Sequence, residues 1–156
     1  QPYLGITDSD VLCVKVAGLC HDLGHGPFSH VFDGVFMKAM WPNGVGENGV
    51  TWKHEDGSIM MFRHLLDANS INLAQYGLND QDRVFIEEMI SGLPESERQG
   101  RPPSKAFLYD VVNNVRSGLD VDKLDYFQRD MQTTHASTPN INFERCARRG
   151  TMMRRF

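Results

Sequence analysis

The chain has 156 residues, of which 40% are hydrophobic and 23% charged, with a formal net charge of −4. A domain of this size buries roughly 68–70% of its unfolded surface, so one well-filled core is expected. No apolar run approaches the length of a membrane span, no signal-peptide pattern opens the chain, and the negative balance excludes a global basic field for nucleic acid.

The first residues, Gln1 to Leu4, include no initiator Met, as expected of a piece of a longer protein. Residues 7–22 read as a helix. Thr7, with Asp10 three residues on, resembles a capping box with Asp in place of Glu. Val11, Leu12, Val14, Val16, Ala17, Leu19 and Cys20 follow, and Lys15 is the only charge between Asp10 and His21. A helix apolar on nearly all sides belongs in the middle of a domain, and this one carries His21 and Asp22 inward. Gly24 and Gly26 then break the pattern. Pro27 suits the first turn of a second helix carrying Phe28, Val31, Phe32, Val35 and Phe36.

Residues 41–52, rich in Gly, Asn and Pro, read as a loop. A third helix is predicted over 54–69, burying Ile59, Phe62, Leu65 and Leu66. A fourth spans 81–91, capped by Asp80, with Val84, Phe85, Ile86, Met89 and Ile90 inside. Residues 92–104 read as an exposed loop, followed by helices over 105–116 and 120–131. Period-two alternation is almost absent and no internal repeat is visible, so the predicted fold class is all-α.

Residues 133–142 are polar and turn-prone, and the end carries Arg145, Arg148, Arg149, Arg154 and Arg155 against Glu144. Three readings stay open there: a solvated or frayed end, a segment contacting phosphate or single-stranded nucleic acid, or a helix docking on residues outside this chain. Cys13, Cys20 and Cys146 make an odd count without CxxC spacing, which argues against a disulfide framework or a zinc ribbon. Buried thiols in a reducing compartment, nuclear or cytoplasmic, are expected instead.

Chemistry gathers at two poles. His21 to His30 reads HDLGHGPFSH, three histidines and an aspartate in ten residues. Adjacent helical residues sit about 100° apart, so His21 and Asp22 can grip one metal only near a helix end, which Gly24 supplies. Imidazole with carboxylate suits zinc, iron or manganese rather than calcium. A hydrogen-bonded core pair would also explain the dipeptide. The second pole, Asp120 to Met131, reads DVDKLDYFQRDM. On a helical wheel Asp122, Lys123, Tyr126 and Asp130 share one arc with Arg129 at its edge, while Leu124, Phe127 and Met131 share the next. Asp122 can ligate metal, Lys123 and Tyr126 can hold phosphate oxygens, and Asp130 can accept from a sugar hydroxyl. An exposed face with i,i+3 and i,i+4 pairing is the alternative.

AGLCHDLGHGPFSHVFDG, the His54-Glu55 pair within KHEDGS, and GLDVDKLDYFQRD together resemble the HD-domain deoxynucleoside triphosphate triphosphohydrolases, nearest the animal branch that joins a sterile alpha motif to the HD domain. The resemblance implies an HD-domain helical bundle, incomplete at both ends, with a partial core over 1–131 and a diverged polar and basic tail over 132–156. It implies that His21, Asp22 and Asp122 are three of four metal ligands, the fourth being a His on a helix upstream of Gln1. His25, His30 and His54 resemble active-site histidines around the triphosphate, and Asp33 resembles the carboxylate that pairs with His30. Lys123 and Tyr126 resemble triphosphate contacts, and Asp130 the contact to the sugar 3′-hydroxyl. The implied reaction cuts a dNTP between the 5′-oxygen and the α-phosphorus, releasing deoxynucleoside and inorganic triphosphate. His30 backed by Asp33 would be the general acid, three residues apart on one helix face.

Fe, Zn or Mn is implied at the His-Asp site and Mg with the substrate triphosphate. A nucleotide-dependent, allosteric homo-oligomer is implied for the intact protein. After Asp130 the sequence departs from the family's pattern, so no site is expected beyond it. Two other readings remain. One is a catalytically inactive HD-domain paralogue acting as a regulatory or nucleic-acid-binding partner. The other is a phosphohydrolase for monophosphates or cyclic phosphodiesters, against which Lys123, Tyr126 and Asp130 argue.

Overall fold

The computed structural model of the chain describes residues 4–45, 49 and 51–133. The basic tail and Cys146 lie outside the described residues. Those described are helical with turns between and contain no β-strand, as predicted. None of their helices is long and apolar enough to cross a membrane.

Helix α1 covers Asp8–Cys20. Its capping box is complete: the Asp10 N–H donates to Thr7 Oγ1 at 3.2 Å, and the Thr7 N–H donates to Asp10 Oδ2 at 2.9 Å. These bonds satisfy two amides that a helix start otherwise leaves without partners. Thr7→Ala is expected to lower stability by about 1 kcal/mol, read by urea unfolding. The helix is not the wholly buried element its composition predicts. Asp10, Cys13 and Ala17 are buried against α4, whereas Leu19 is 82% exposed and Val11 43%. Among the described residues, neighbours cover one face of α1.

The second helix does not begin at Pro27. Phe28 and Ser29 have φ of 65° and 49°, left-handed values that a right-handed helix cannot include. The chain turns there, and a wide π-helical turn follows over Phe32–Phe36 before α2, Met37–Met40. Helix α3, His54–Ala68, matches prediction and buries Phe62 and Leu66, but Leu65 is exposed.

Helix α4, Asp80–Ser91, is capped by Asn79 rather than Asp80, with Asp82 closing the box, and ends on left-handed Gly92. It is the central helix. Phe85, Ile86, Met89 and Ile90 are buried between α1, α3 and the segment around Tyr109. Each such side chain contributes roughly 1.5–3 kcal/mol when fully buried. The predicted fifth helix is mostly a 3-10 turn, Pro103–Leu108, with only Tyr109–Val112 as α5. Paired prolines at 102 and 103 set that start, since neither can donate to a regular helix. Helix α6 covers Val121–Thr133.

The loop predicted to be exposed over 92–104 is partly an internal strut. Gly100 is buried, and the Arg101 side chain is 10% exposed between Asp10 and Asp82. Glu88, buried on α4, accepts from the Gln99 and Gly100 amides at 2.7 and 2.8 Å and from the Tyr109 hydroxyl at 2.6 Å. Of the described thiols, Cys13 is buried as predicted and Cys20 is half-buried. Burial pushes the Cys13 thiol up to about 12.

Candidate active site

Helix α1 stops at Cys20, and the backbone folds back through His21 to Gly24 onto the first turn of α3. The Leu23 amide bonds the Cys20 carbonyl at 3.2 Å, and the His25 amide bonds that of Asp22 at 3.1 Å. A Cβ at Gly24 would lie 2.2 Å from the Ser58 nitrogen and 2.3 Å from the His54 oxygen, so only glycine permits the approach. Ser58 fastens it. Its Oγ accepts from the Gly24 amide at 2.9 Å and its hydroxyl donates to the His21 carbonyl at 2.5 Å. Ser58 is fully buried, and sequence reasoning missed it. The available signal was a small polar residue one turn after His54 on the face that carries Phe62.

Asp122, on the first turn of α6, comes to the same place. His21 Nδ1 donates to the Gly18 carbonyl at 2.7 Å, which leaves the lone pair on Nε2. That Nε2 is buried without a hydrogen-bond partner, yet faces Asp22 Oδ1 at 3.3 Å and Asp122 Oδ1 at 3.6 Å. Two carboxylate oxygens turned on this nitrogen repel its lone pair unless a proton or a metal cation lies among them. The three donor atoms sit within 4.8 Å of one another, as a shared metal requires. One nitrogen and two oxygen donors suit iron, zinc or manganese, and the carbonyl bond on Nδ1 is the usual support behind a ligating imidazole.

His25, His30 and His54 also converge, although 29 positions separate the first from the last. His25 stacks on His54 at 3.8 Å between ring centroids, and His30 stands edge-on to both, at 5.2 and 5.7 Å. Burial, and then the neighbouring His54, push the His25 imidazole below its ordinary value. The pairing of Asp33 differs from expectation. Its Oδ2 accepts from His54 Nδ1 at 2.7 Å, not from His30. The i,i+3 argument assumed one regular α-helix through residues 30–33, and the chain widens into the π-turn at Phe32, directly after His30 and Val31. Glu55 Oε2 lies 3.4 Å from the same His54 nitrogen.

His21, Asp22, Asp122, the three clustered histidines and Glu55 line one cavity of about 600 Å³, within the range of small-molecule sites, whereas Asp33 stands behind His54 and is not among its lining residues. Tyr126 and Asp130 of α6 reach its wall, as the helical wheel predicts. Lys123 is not among the residues that line the cavity; its Nζ lies 3.3 Å from where a Gly118 side chain would begin. Arg129 lines the wall and pairs with Asp125. Asp120 is the cap of α6: Oδ1 accepts from the Lys123 amide at 3.1 Å and Oδ2 from the Asn114 amide at 3.2 Å. Sequence reasoning placed Asp120 within the helix and overlooked Asn113, which lies at the end of α5 and lines the cavity.

The helical bundle and the His-Asp pair at a helix end are those of a known class. The HD domain family model matches residues 2–129, and the chain belongs to the HD-domain family. Within it, the chain is 52% identical over 140 residues to the human deoxynucleoside triphosphate triphosphohydrolase SAMHD1 (Homo sapiens), which covers 83% of this chain and 21% of that protein. The protein of the same name from Bos taurus is 50% identical over 141 residues, covering 83% and 23%. A SAMHD1 homolog from Dictyostelium discoideum is 40% identical over 138 residues, covering 88% and 24%. The chain thus spans about a fifth to a quarter of the length of these curated relatives.

Proposed function

We propose that the chain carries the catalytic core of a metal-dependent dNTP triphosphohydrolase. The observation that supports this most is the buried, partnerless His21 Nε2 facing Asp22 and Asp122 on the wall of a cavity large enough for a nucleotide. A divalent transition metal held by these three residues would acidify water to a pKa of about 7 and supply a nucleophile at neutral pH.

The chain's own groups do the rest. His25, His30 and His54 offer ring nitrogens to phosphate oxygens. His30, the exposed member of the cluster, is the group we assign to protonate the departing 5′-oxygen. Asp33 fixes the tautomer and plane of His54, which in turn abuts His25 and His30. Tyr126 takes a phosphate oxygen, and Asp130 accepts from the sugar 3′-hydroxyl. Lys123 joins them by swinging its four-carbon stem from Gly118 into the cavity. Five carboxylates on the wall, Asp22, Glu55, Asp120, Asp122 and Asp130, oppose a bare polyanion, so the substrate enters with its phosphate charge screened by Mg.

Products decide the matter. Incubating the chain with a dNTP, Mg and Mn or Fe should release inorganic triphosphate and deoxynucleoside in equal amounts, followed by phosphorus NMR. Orthophosphate or pyrophosphate as the first product would place the chain with the other phosphohydrolases instead.

A further inference from the structure

Ser58 takes no part in the proposed chemistry, yet it is built into the candidate metal site. It is fully buried on α3, and its hydroxyl donates to the His21 carbonyl at 2.5 Å while accepting from the Gly24 amide at 2.9 Å. The other backbone hydrogen bonds of this turn among the described residues, from Leu23 to Cys20 and from His25 to Asp22, are local. Ser58 is therefore what ties the turn to another element. The three donors of the site are held in different ways. The His21 ring has its own anchor, the Gly18 carbonyl at 2.7 Å. Asp122 arrives on α6, whose first turn Asp120 caps. The Asp22 carboxylate meets only imidazole nitrogens among the described residues, His21 Nε2 at 3.3 Å and His25 Nε2 at 3.5 Å. Both distances exceed the roughly 2.7–2.9 Å of a charge-assisted hydrogen bond. The Asp22 side chain is 47% exposed, so packing does not fix it either. Its direction is set by its backbone, and Ser58 holds that backbone on both sides, at the carbonyl just before Asp22 and at the amide two residues beyond it.

We propose that Ser58 is a positioning residue for the metal site: through its two backbone bonds the hydroxyl aims the Asp22 carboxylate at the ion shared with His21 Nε2 and Asp122. The inference rests on the reading of those three residues as metal ligands. Ser58 touches neither metal nor substrate. Its effect runs through Asp22, because His21 and Asp122 have supports of their own. Without the hydroxyl, the His21 carbonyl and the Gly24 amide lose their shared partner, and the turn is free to carry Asp22 off its line. Ser58 also lies one turn after His54 on α3, about 6 Å of rise, so one helix holds the metal turn at a fixed distance from the histidine cluster.

Metal affinity tests this without catalysis. Titration with Mn, followed by the electron paramagnetic resonance signal of the free ion, should show Ser58→Ala binding about tenfold more weakly than the native chain. That is the low end of the roughly 10–100-fold that outer partners of a ligand supply. A double-mutant cycle separates aim from general loosening. In an Asp22→Asn background, where no carboxylate is left to aim, Ser58→Ala should change the affinity by less than about twofold. In an Asp122→Asn background the loss of about tenfold should persist. A merely structural role would weaken binding equally in both backgrounds. That result, or native affinity in Ser58→Ala, overturns the proposal while leaving the metal site standing. If Ser58→Ala does not fold, Ser58→Cys takes its place: the thiol keeps the shape but is a weak donor, and the same pattern across the two backgrounds is expected. Failure of the native chain to bind Mn would instead overturn the metal-site reading itself, and the proposal with it.

Discussion

Replacing Asp122 with asparagine should cost the chain at least about 100-fold in affinity for Mn or Zn, because loss of an outer partner of a ligand alone costs about 10–100-fold. The amide keeps the shape of the side chain but removes the charge that faces His21 Nε2 at 3.6 Å. Asp22 and His21 would remain, yet two adjacent residues at one helix end cannot surround an ion. Asp122 is the donor that arrives from α6, and its carboxylate is 37% exposed, so the substitution leaves the core unaltered. Triphosphate release should fall with metal occupancy and should not recover when dNTP is raised. Elemental analysis of the purified variant and calorimetric titration with the metal provide the check. Native metal content in Asp122→Asn would show that His21 and Asp122 are neighbours without a shared ion, and the hydrolase reading would lose its support.

What the sequence showed of this site depended on how local each signal was. Helices α3 and α4 stood out because their apolar residues recur at helical spacing and their neighbours are turn-formers. The meeting of His21 with Asp122 could be anticipated because both sit at helix ends, where a side chain can face a site without disturbing its own helix. The segment between was opaque. Phe28 and Ser29 adopt left-handed backbone that glycine favours, yet neither is glycine, so propensity continued the helix through them. Tertiary demand prevails there: the reversal carries His30 back beside His25 and His54. The Asp33–His54 bond spans 21 positions, and a rule about neighbours on one helix could not find it. Lys123 shows the limit of the wheel, which sets direction at Cα and not where a long side chain ends.

The same limit hid Arg101, and with it the largest expected stability effect in the chain. Asp10 and Asp82 each close the capping box of their helix, and both are buried. Arg101 joins them. Its Nε donates to Asp10 Oδ1 at 2.6 Å, its other arm reaches Asp82, and its guanidinium lies 4.4 Å above the Phe85 ring. One side chain from a Gly- and Pro-rich loop therefore ties the start of α1 to the start of α4. Arg101→Ala should lower unfolding free energy by about 3–5 kcal/mol, because it leaves the buried Asp82 carboxylate without its cation and takes from Asp10 one of its two, Lys105 remaining. That is a large share of the roughly 5–15 kcal/mol a domain has.

Acid should reveal the same device in the native chain. Burial alone would push the Asp10 carboxyl up, but Lys105, the Thr7 amide and Arg101 outweigh it and hold it well below the usual carboxylate range. An unfolded Asp takes up its proton near pH 4, before the folded one does. The stabilisation is therefore full above that value and fades as pH falls beneath it towards the folded value. Urea unfolding at pH 7 and pH 3 should show the native chain losing stability in acid. Arg101→Ala, already deprived of one partner that holds Asp10 ionised, should lose less over the same interval. Equal acid losses in the two proteins would mean that Lys105 and the capping amide hold Asp10 by themselves, and that Arg101 serves only as a tie between the helices.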